Sequence, residues 1–366
     1  MKHHSNAVRY HARTLVLLLW NGFCGLGVAG LPGIVHATAC GDTLTAGQAL
    51  ERPLLECDVF PALTIEGPGS FDLNGHTISC ALPGNGTLAG TGISVTGSGA
   101  RIYHGTIENC DRGVVVAGDG QHLLSKLTVK SPDMTDRVDN LYNNGIAFHG
   151  LSSRNRFIRN KVIHYAGEGF RLDNKDSAND NVLSLNLVTE SANHAFRVNG
   201  GQRNLFLANV ARDNTGPKGG KVQGEGFRSQ DRGTRFIANM ATGNGDEGFR
   251  LRDTAATENL LLGNTASGNG LDPCDLAADD ANPGIAITRG SSGNWVIFNR
   301  VDGNCVGLFV NTLSVGNWIA RNTALNNALI DAADANSNCD MNAWLGNEFN
   351  TSAVGPVFNE DPACIQ

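Results

Sequence analysis

The most regular feature of the chain is a hexapeptide in which two asparagines, or near matches, enclose an apolar-rich run. It occurs eight times, at residues 155–160, 181–186, 204–209, 234–239, 259–264, 294–299, 317–322 and 342–347. Between successive copies lies a second motif, a Gly or Ala followed by an apolar, a variable and another apolar residue, as in Gly169-Phe170-Arg171-Leu172. The closing asparagines recur every 23 to 35 residues. This self-similarity predicts a repeat protein.

Each repeat predicts two or three short β-strands, because apolar and polar positions alternate with period two and Asn, Asp or Gly separates the runs. A unit this small cannot bury its apolar face alone, so the repeats are expected to stack as coils of a solenoid. We interpret the asparagines as structural, since Asn accepts left-handed backbone angles and stacked amides can bond along the axis. The longer units predict loops around residues 130–143, 212–223 and 270–283.

Upstream of the hexapeptides the chain reads FDLNGHTI at 71–78, then a Gly-apolar-x-apolar motif at Gly92 and again at Gly113. With the repeats, these segments resemble the right-handed parallel β-helix proteins of the pectate-lyase-like superfold. The resemblance implies an all-β, right-handed parallel β-helix of about ten coils over residues 67–347. Because bare coil ends would expose strand edges and core, we expect an N-terminal cap at 40–66 and a C-terminal cap at 348–366.

The first 39 residues have the layout of a signal peptide, with Lys2, Arg9 and Arg13 before an apolar stretch over 15–35. We therefore expect a secreted protein, whether extracellular, on the cell surface or periplasmic. Removing three of the 28 Lys and Arg leaves 25 against 35 Asp and Glu, a net charge of −10, which disfavours binding to nucleic acid. No later apolar run approaches the roughly 20 residues of a membrane helix, so no membrane span is predicted after cleavage.

Eight cysteines follow this segment, and an even number in an exported chain predicts disulfides. Pairing between sequence neighbours would join Cys40 with Cys57, Cys80 with Cys110, Cys274 with Cys305, and Cys339 with Cys364. A lipid anchor on Cys40 is the alternative at the N-terminus.

The signatures of known β-helix enzymes are mostly missing. A polygalacturonase-like Gly-His-Gly is absent, since His76 lies in NGHTI and His149 in FHG, and the epimerase-like Tyr-Gly-x-Asp-Pro-His and the methylesterase elements are absent as well. The resemblance therefore assigns no residue a role.

Four consecutive coils instead place an arginine at the outward position of the Gly-apolar-x-apolar motif, while Ala147 and Ala286 occupy that position in the flanking coils. The arginines are Arg171, Arg197, Arg228 and Arg250. Three residues upstream of each stands a second column, made of Glu168, His194, Glu225 and Glu247. Neighbouring coils stack about 4.8 Å apart, so four arginines in one column require counter-charges.

Two functions remain open on this column. In the first, an acidic polysaccharide lies along the arginines and is bound by Arg171, Arg197, Arg228, Arg250, Glu168 and Glu247. Lyase or epimerase chemistry would use His194, Glu225 and Arg228 for proton transfer beside a uronate carboxylate. In the second, the protein is a non-catalytic surface or matrix solenoid for adhesion or scaffolding, and the glutamates simply neutralise the arginines. Exposed arginines would favour the first function and ion-paired ones the second.

No cofactor and no metal site is predicted. Calcium is possible at residues 172–180 or 274–282, which are rich in oxygen ligands but match no defined spacing. Copper delivery is disfavoured, because Met134, Met240 and Met341 are not clustered in the sequence. The sequence gives no indication of the oligomeric state.

Overall fold

The computed structural model describes residues 38–45, 47–82, 89–131, 145–173, 177–216, 224–270, 274, 282–354 and 364–365. The predicted signal peptide lies outside these residues except for its last two positions. Most of the three predicted loops also lies outside them, including Lys218 and Lys221 of the second loop, as do parts of both calcium candidates.

Short strands separated by turns follow one another along the described chain. In chain order they are β1 (Asp42–Leu44), β2 (Leu54–Cys57), β3 (Leu63–Glu66), β4 (Gly69–Asp72), β5 (Thr77–Cys80), β6 (Ala89–Thr96), β7 (Ala100–Glu108), β8 (Cys110–Val116), β9 (Leu123–Lys130), β10 (Gly145–Gly150), β11 (Arg156–Ile158), β12 (Lys161–Ile163), β13 (Gly167–Leu172), β14 (Val182–Ser184), β15 (Leu187–Thr189), β16 (Phe196–Val198), β17 (Leu205–Leu207), β18 (Val210–Arg212), β19 (Phe227–Ser229), β20 (Arg235–Ile237), β21 (Met240–Thr242), β22 (Phe249–Arg252), β23 (Leu260–Leu262), β24 (Thr265–Ser267), β25 (Pro283–Thr288), β26 (Trp295–Ile297), β27 (Arg300–Asp302), β28 (Val306–Val310), β29 (Trp318–Ala320), β30 (Thr323–Leu325), β31 (Ile330–Asp334), β32 (Ala343–Leu345) and β33 (Ser352–Val354). A 3-10 turn covers Ser337–Cys339. Among the described residues no helix is long and apolar enough to cross a membrane.

The strands form three parallel sheets that run along the coil axis. Sheet 1 contains thirteen strands in the order β1-β3-β6-β8-β10-β13-β16-β19-β22-β25-β28-β31-β33. Sheet 2 runs β4-β7-β9-β11-β14-β17-β20-β23-β26-β29-β32, and sheet 3 runs β2-β5-β7-β9-β12-β15-β18-β21-β24-β27-β30, with the long strands β7 and β9 shared by both. Ten of the sheet 1 strands lie within 67–347. The predicted all-β parallel β-helix of about ten coils is confirmed.

The strand ladders extend into both segments that the sequence analysis assigned to caps. β1 and β3, which pair with each other, both lie inside 40–66. At the other end β33 lies inside 348–366 and pairs with β31 of the last predicted coil. These terminal strands add rungs to sheet 1 at each end.

A column of phenylalanines fills the coil interior behind sheet 1. Its members are Phe148, Phe170, Phe196, Phe227 and Phe249, and consecutive ring centroids are separated by 4.5, 5.1, 4.7 and 4.7 Å. All five side chains are buried. Stacked rings of this kind bury much apolar area and fix which face of each strand points inward.

Asparagine ladders bond the coils to one another at the turns. In the ladder that closes the hexapeptides, Asn264 donates from its amide to Asn299 (2.9 Å) and accepts from the amide of Asn239 (3.1 Å). A second ladder follows the opening position of the hexapeptide, as between Asn259 and Asn294 (3.0 Å). The structure adds a third, which the hexapeptide search missed, through Asn214, Asn244, Asn269, Asn304 and Asn327. The structural role expected for the asparagines is thus supported.

The physical reason given for those asparagines is partly wrong. The left-handed backbone belongs to the residue before each ladder position, for example Arg159, Leu185, Ala208 and Ala238 with φ of 55°, 57°, 52° and 53°. The turn therefore bends at one residue, and the next supplies the amide that bonds along the axis.

All four predicted disulfides are present: Cys40–Cys57, Cys80–Cys110, Cys274–Cys305 and Cys339–Cys364. Because Cys40 is bonded to Cys57, its sulfur is not free, which disfavours the lipid-anchor alternative.

Candidate functional site

The four arginines of the predicted column are direct partners in sheet 1. Arg171 pairs with Arg197, Arg197 with Arg228, and Arg228 with Arg250. Their neighbours in each strand belong to the buried phenylalanine column, so alternation directs the arginines to the outer face. The predicted arginine column is present.

The rung before Arg171 differs from the prediction. Phe148 pairs with Phe170 and His149 pairs with Arg171, so His149 rather than Ala147 precedes the column. The error came from aligning the coils by their glycines, whereas the stacked phenylalanines determine the register. At the other end Ala286 follows Arg250, as expected.

One end of the column is partly open to solvent. The side chains of Arg171 and Arg197 are 25% and 19% exposed. Glu168 lies behind both, with its Oε1 atom 2.6 Å from Nη1 of Arg197 and its Oε2 atom 3.7 Å from Nε of Arg171. Asp173 contacts Nη2 of Arg171 at 2.7 Å. A buried carboxylate thus holds two partly exposed guanidinium groups side by side.

Polar groups continue beside these two arginines. Nη2 of Arg197 donates to Asn199 (3.2 Å) and to Gln230 (3.4 Å), both only partly buried. Such amides can bond the hydroxyl groups of a sugar as readily as a guanidinium.

The other end of the column is closed. The side chains of Arg228 and Arg250 are 9% and 3% exposed. Nη1 of Arg250 contacts Oε1 of Glu225 at 3.1 Å and Oε1 of Glu247 at 2.8 Å. These arginines are neutralised within the protein, as the structural interpretation predicted.

The three candidate catalytic residues are brought together but are buried. His194 Nε2 lies 3.2 Å from Nη1 of Arg228, and His194 Nδ1 lies 3.4 Å from Oε2 of Glu225. Burial lowers the pKa of His194 to about 4. Burial alone would raise the pKa of Glu225, but His194, Arg228 and Arg250 lower it to about 2. At neutral pH the group therefore contains a neutral imidazole and an ionised carboxylate.

Sequence reasoning missed Asp246, which joins this buried network. Oxygens of Glu225, Asp246 and Glu247 lie within 4.8 Å of one another. Burial and the adjacent Glu247 raise the pKa of Asp246 to about 11, and burial also raises the pKa of Glu247. Carboxylate oxygens are calcium ligands, yet Arg228 and Arg250 already supply two positive charges against three carboxylates. One proton shared by Asp246 and Glu247 completes the balance.

His149 was considered only for a motif that it does not match, yet it adjoins the open end of the column. Its Nε2 atom lies 3.8 Å from Oδ2 of Asp173. Burial and the nearby Arg171 and Arg112 lower the pKa of His149 to about 4, so its ring is neutral at pH 7.

Residues 144–324 match a family model described as a right handed beta helix region. The protein has the fold of a right-handed parallel β-helix. Its fold is similar to that of the A-module of a mannuronan C-5 epimerase from Azotobacter vinelandii, at 13% identity over 88% of this chain and 87% of that chain, with a TM-score of 0.52. It is also similar to a periplasmic alginate epimerase, at 12% identity over 80% of this chain and 73% of that chain, again with a TM-score of 0.52. A search of curated proteins found no match. At these identities the similarity concerns the β-helix fold.

Proposed function

We propose that the protein binds an acidic polysaccharide across the open end of the arginine column, at Arg171 and Arg197. The observation that supports this most is the contrast in exposure, since these two side chains are 25% and 19% exposed whereas Arg228 and Arg250 are nearly enclosed. Planar guanidinium groups match the two oxygens of a uronate carboxylate or a sulfate. Glu168 holds both groups in place before the ligand arrives.

Two further features favour this class of ligand. Asn199 and Gln230 border Arg197 and can bond sugar hydroxyls. The two similar structures are named as epimerases of mannuronan and alginate, both acidic polysaccharides. With 12–13% identity, they serve only as precedents for this fold.

For catalysis we propose proton abstraction next to the uronate carboxylate, with His149 as the base. His149 pairs with Arg171 in the sheet and is neutral at pH 7. A carboxylate neutralised by Arg171 would acidify the adjacent C–H bond, and the proton would pass to the imidazole. Elimination then forms a C4=C5 double bond as the C4–O bond to the neighbouring sugar breaks, and the departing oxygen takes a proton from water to leave as a hydroxyl group. Epimerisation instead returns a proton to the opposite face of C5.

The predicted catalytic roles of His194, Glu225 and Arg228 become supporting roles in this proposal. These residues lie at the enclosed end of the column, where Glu225 and Glu247 occupy the arginines, whereas His149, itself only 7% exposed, borders the more exposed Arg171. They, with Glu247 and Arg250, are proposed to stiffen the sheet beside the binding surface.

A non-catalytic solenoid for adhesion or scaffolding is the second candidate. The observation that favours it is the enclosed end of the column, where Glu225 and Glu247 occupy Arg250. On this alternative Glu168 fulfils the same role for Arg171 and Arg197, and no polymer binds.

Export to an oxidising compartment is part of the proposal. Four disulfides are typical of secreted or periplasmic proteins and rare in the cytosol.

The test is to incubate the purified protein with alginate, polygalacturonate, a sulfated polysaccharide and a neutral glucan, following both binding and the ultraviolet absorbance of unsaturated uronate. We expect binding to an acidic polymer and none to the neutral glucan. Rising absorbance that His149→Gln abolishes, with binding retained, would establish a lyase. Binding without the absorbance of unsaturated uronate would point to an epimerase. That assignment would be established if the wild type, but not His149→Gln, incorporates deuterium from solvent at C5 of the uronate. If the protein binds none of the acidic polymers, the non-catalytic solenoid becomes the favoured function.

A further inference from the structure

Two tryptophans lie side by side on the outer face of sheet 2, on a different sheet from the arginine column. Trp295 and Trp318 are direct partners in the parallel ladder. Their ring centroids are 5.3 Å apart and the ring planes differ by 20°. The two residues remain 47% and 40% exposed. Large aromatic side chains left this accessible are typical of interaction surfaces.

Other apolar side chains extend this surface. Phe298 and Leu345 are 54% and 44% exposed. Leu260 precedes Trp295 in the ladder, and Ile297 pairs with Ala320 beside it. We call Leu260, Trp295, Ile297, Phe298, Trp318 and Leu345 the tryptophan patch.

The ladder leaves room beside Trp318. The residue that follows it in the column is Ala343, and a single methyl group is too small to cover an indole ring. One face of Trp318 is stacked on Trp295, and among the described residues its ladder partner on the other side along the coil axis is the small Ala343.

Arginines border the tryptophan patch on two sides. Arg235 pairs with Leu260 and so belongs to the same column as the tryptophans. Arg321 lies three residues after Trp318, with its guanidinium carbon 5.5 Å from the ring centroid of Phe298. Both are exposed, and no ion pair joins either to a carboxylate in the part of the chain that the structure describes. The nearby Arg300, in contrast, is paired with Asp302 at 3.0 Å.

We propose that the tryptophan patch is a second binding surface for acidic polysaccharide, independent of the arginine column. The electron-rich face of an indole attracts the polarised C–H groups of a sugar ring, and Arg235 and Arg321 complement its carboxylates. Aromatic surface flanked by two exposed arginines that form no ion pair among the described residues complements a sugar chain bearing carboxylates, and this charge complementarity is the reason for assigning the patch to that occupant. The proposal goes beyond the function above, because binding here requires neither Arg171 nor Arg197.

The test compares the full-length wild type with Trp295→Ala/Trp318→Ala in titrations with alginate and polygalacturonate oligosaccharides. Because the two sites are independent, we expect the double variant to lose one of the two classes of site seen in the wild type, with affinity at the tryptophan patch reduced at least about tenfold, as is usual when aromatic anchors are truncated. Met240→Ala is the matched control, since Met240 is 45% exposed on sheet 3 and should leave affinity unchanged. Circular dichroism and the unfolding midpoint verify that each variant folds. Arg321→Ala should reduce oligosaccharide binding at the patch as well, but less than the double variant does.

Unchanged stoichiometry and affinity in a folded double variant would overturn the tryptophan patch as a sugar site, even where Arg171→Ala weakens binding. A wild type that is dimeric by light scattering and becomes monomeric in the double variant would instead assign the patch to self-association. Weaker binding by the tryptophan double variant, together with wild-type binding by the separate variant Arg171→Ala, would support the tryptophan patch and contradict the arginine site.

Discussion

At the residue scale, the outer face of sheet 1 contains ionisable side chains that are buried although they point away from the core. Asp246 and Glu247 are 6% and 1% exposed. Glu247 and Glu225 both contact Arg250, and the neighbouring positive charges keep Glu225 ionised. A charge enclosed in this way must be paired or protonated.

The protonated carboxyl makes stability depend on pH. Burial and the adjacent Glu247 raise the pKa of Asp246 in the folded protein to about 11, far above its ordinary value of 3.8. Since the unfolded chain ionises first, the free energy of unfolding should fall as pH rises above about 4. Between pH 5 and 8 the free energy of unfolding of the wild type should fall by up to about 4 kcal/mol more than that of Asp246→Asn. This upper limit corresponds to one proton, at about 1.4 kcal/mol per pH unit. Urea unfolding at both pH values measures this.

The control for that experiment is Asp213→Asn, an exposed carboxylate outside the network. Its pH dependence should follow that of the wild type. Equal pH slopes for wild type and Asp246→Asn would contradict the assignment of a proton to the pair.

The asparagine ladders yield a second prediction at this scale. Asn264 accepts from the backbone N–H and the amide of Asn239, and donates to the carbonyl oxygen of Phe236 and to Asn299. Asn264→Ala would leave buried donors and acceptors without partners, at a cost of at least about 2 kcal/mol. Denaturant unfolding measures the loss, and the exposed Asn350→Ala should cost far less. A loss no larger than that of the control would be inconsistent with a stabilising ladder.

At the element scale, each corner between sheets 2 and 3 depends on one residue with positive φ followed by a ladder amide. Ala208 is such a residue, with φ of 52°. The hexapeptide predicted that a turn occurs here but not which residue adopts the left-handed backbone. A side chain that occupies αL, such as Leu185 or Ala238, has no composition signal comparable to glycine.

Glycine at such a corner should stabilise the protein. Ala208→Gly removes the αL penalty of its Cβ atom, and after the entropy cost of glycine in the unfolded chain a gain of about 0.5 kcal/mol remains. Ala211→Gly, three residues later and buried inside β18, should destabilise instead. The melting temperatures of the two variants measure the contrast. Destabilisation of both to the same degree would contradict the proposed corner geometry.

At the scale of the whole molecule, the coils, the disulfides and the outward arginine column could be predicted, because each follows from a repeated spacing. The place of His149 could not, since its coil lacks the Gly-Phe-Arg motif and only the stacking of Phe148 on Phe170 sets its register. The enclosure of Arg250 and the proton on Asp246 could not either. They depend on how side chains of several coils pack together, which no local pattern records.

The central claim is that the open end of the arginine column binds an acidic sugar chain, and the most direct test is a calorimetric titration of an oligouronate into wild type and Arg171→Ala. This variant leaves Glu168 paired with Arg197, so the sheet should remain folded. Arg203→Ala is the control, because it removes an arginine paired with Asp180 elsewhere. We expect roughly tenfold weaker binding for Arg171→Ala alone, and wild-type affinity that falls with added salt. Equal affinities for Arg171→Ala and the wild type, or no binding by the wild type, would contradict the account.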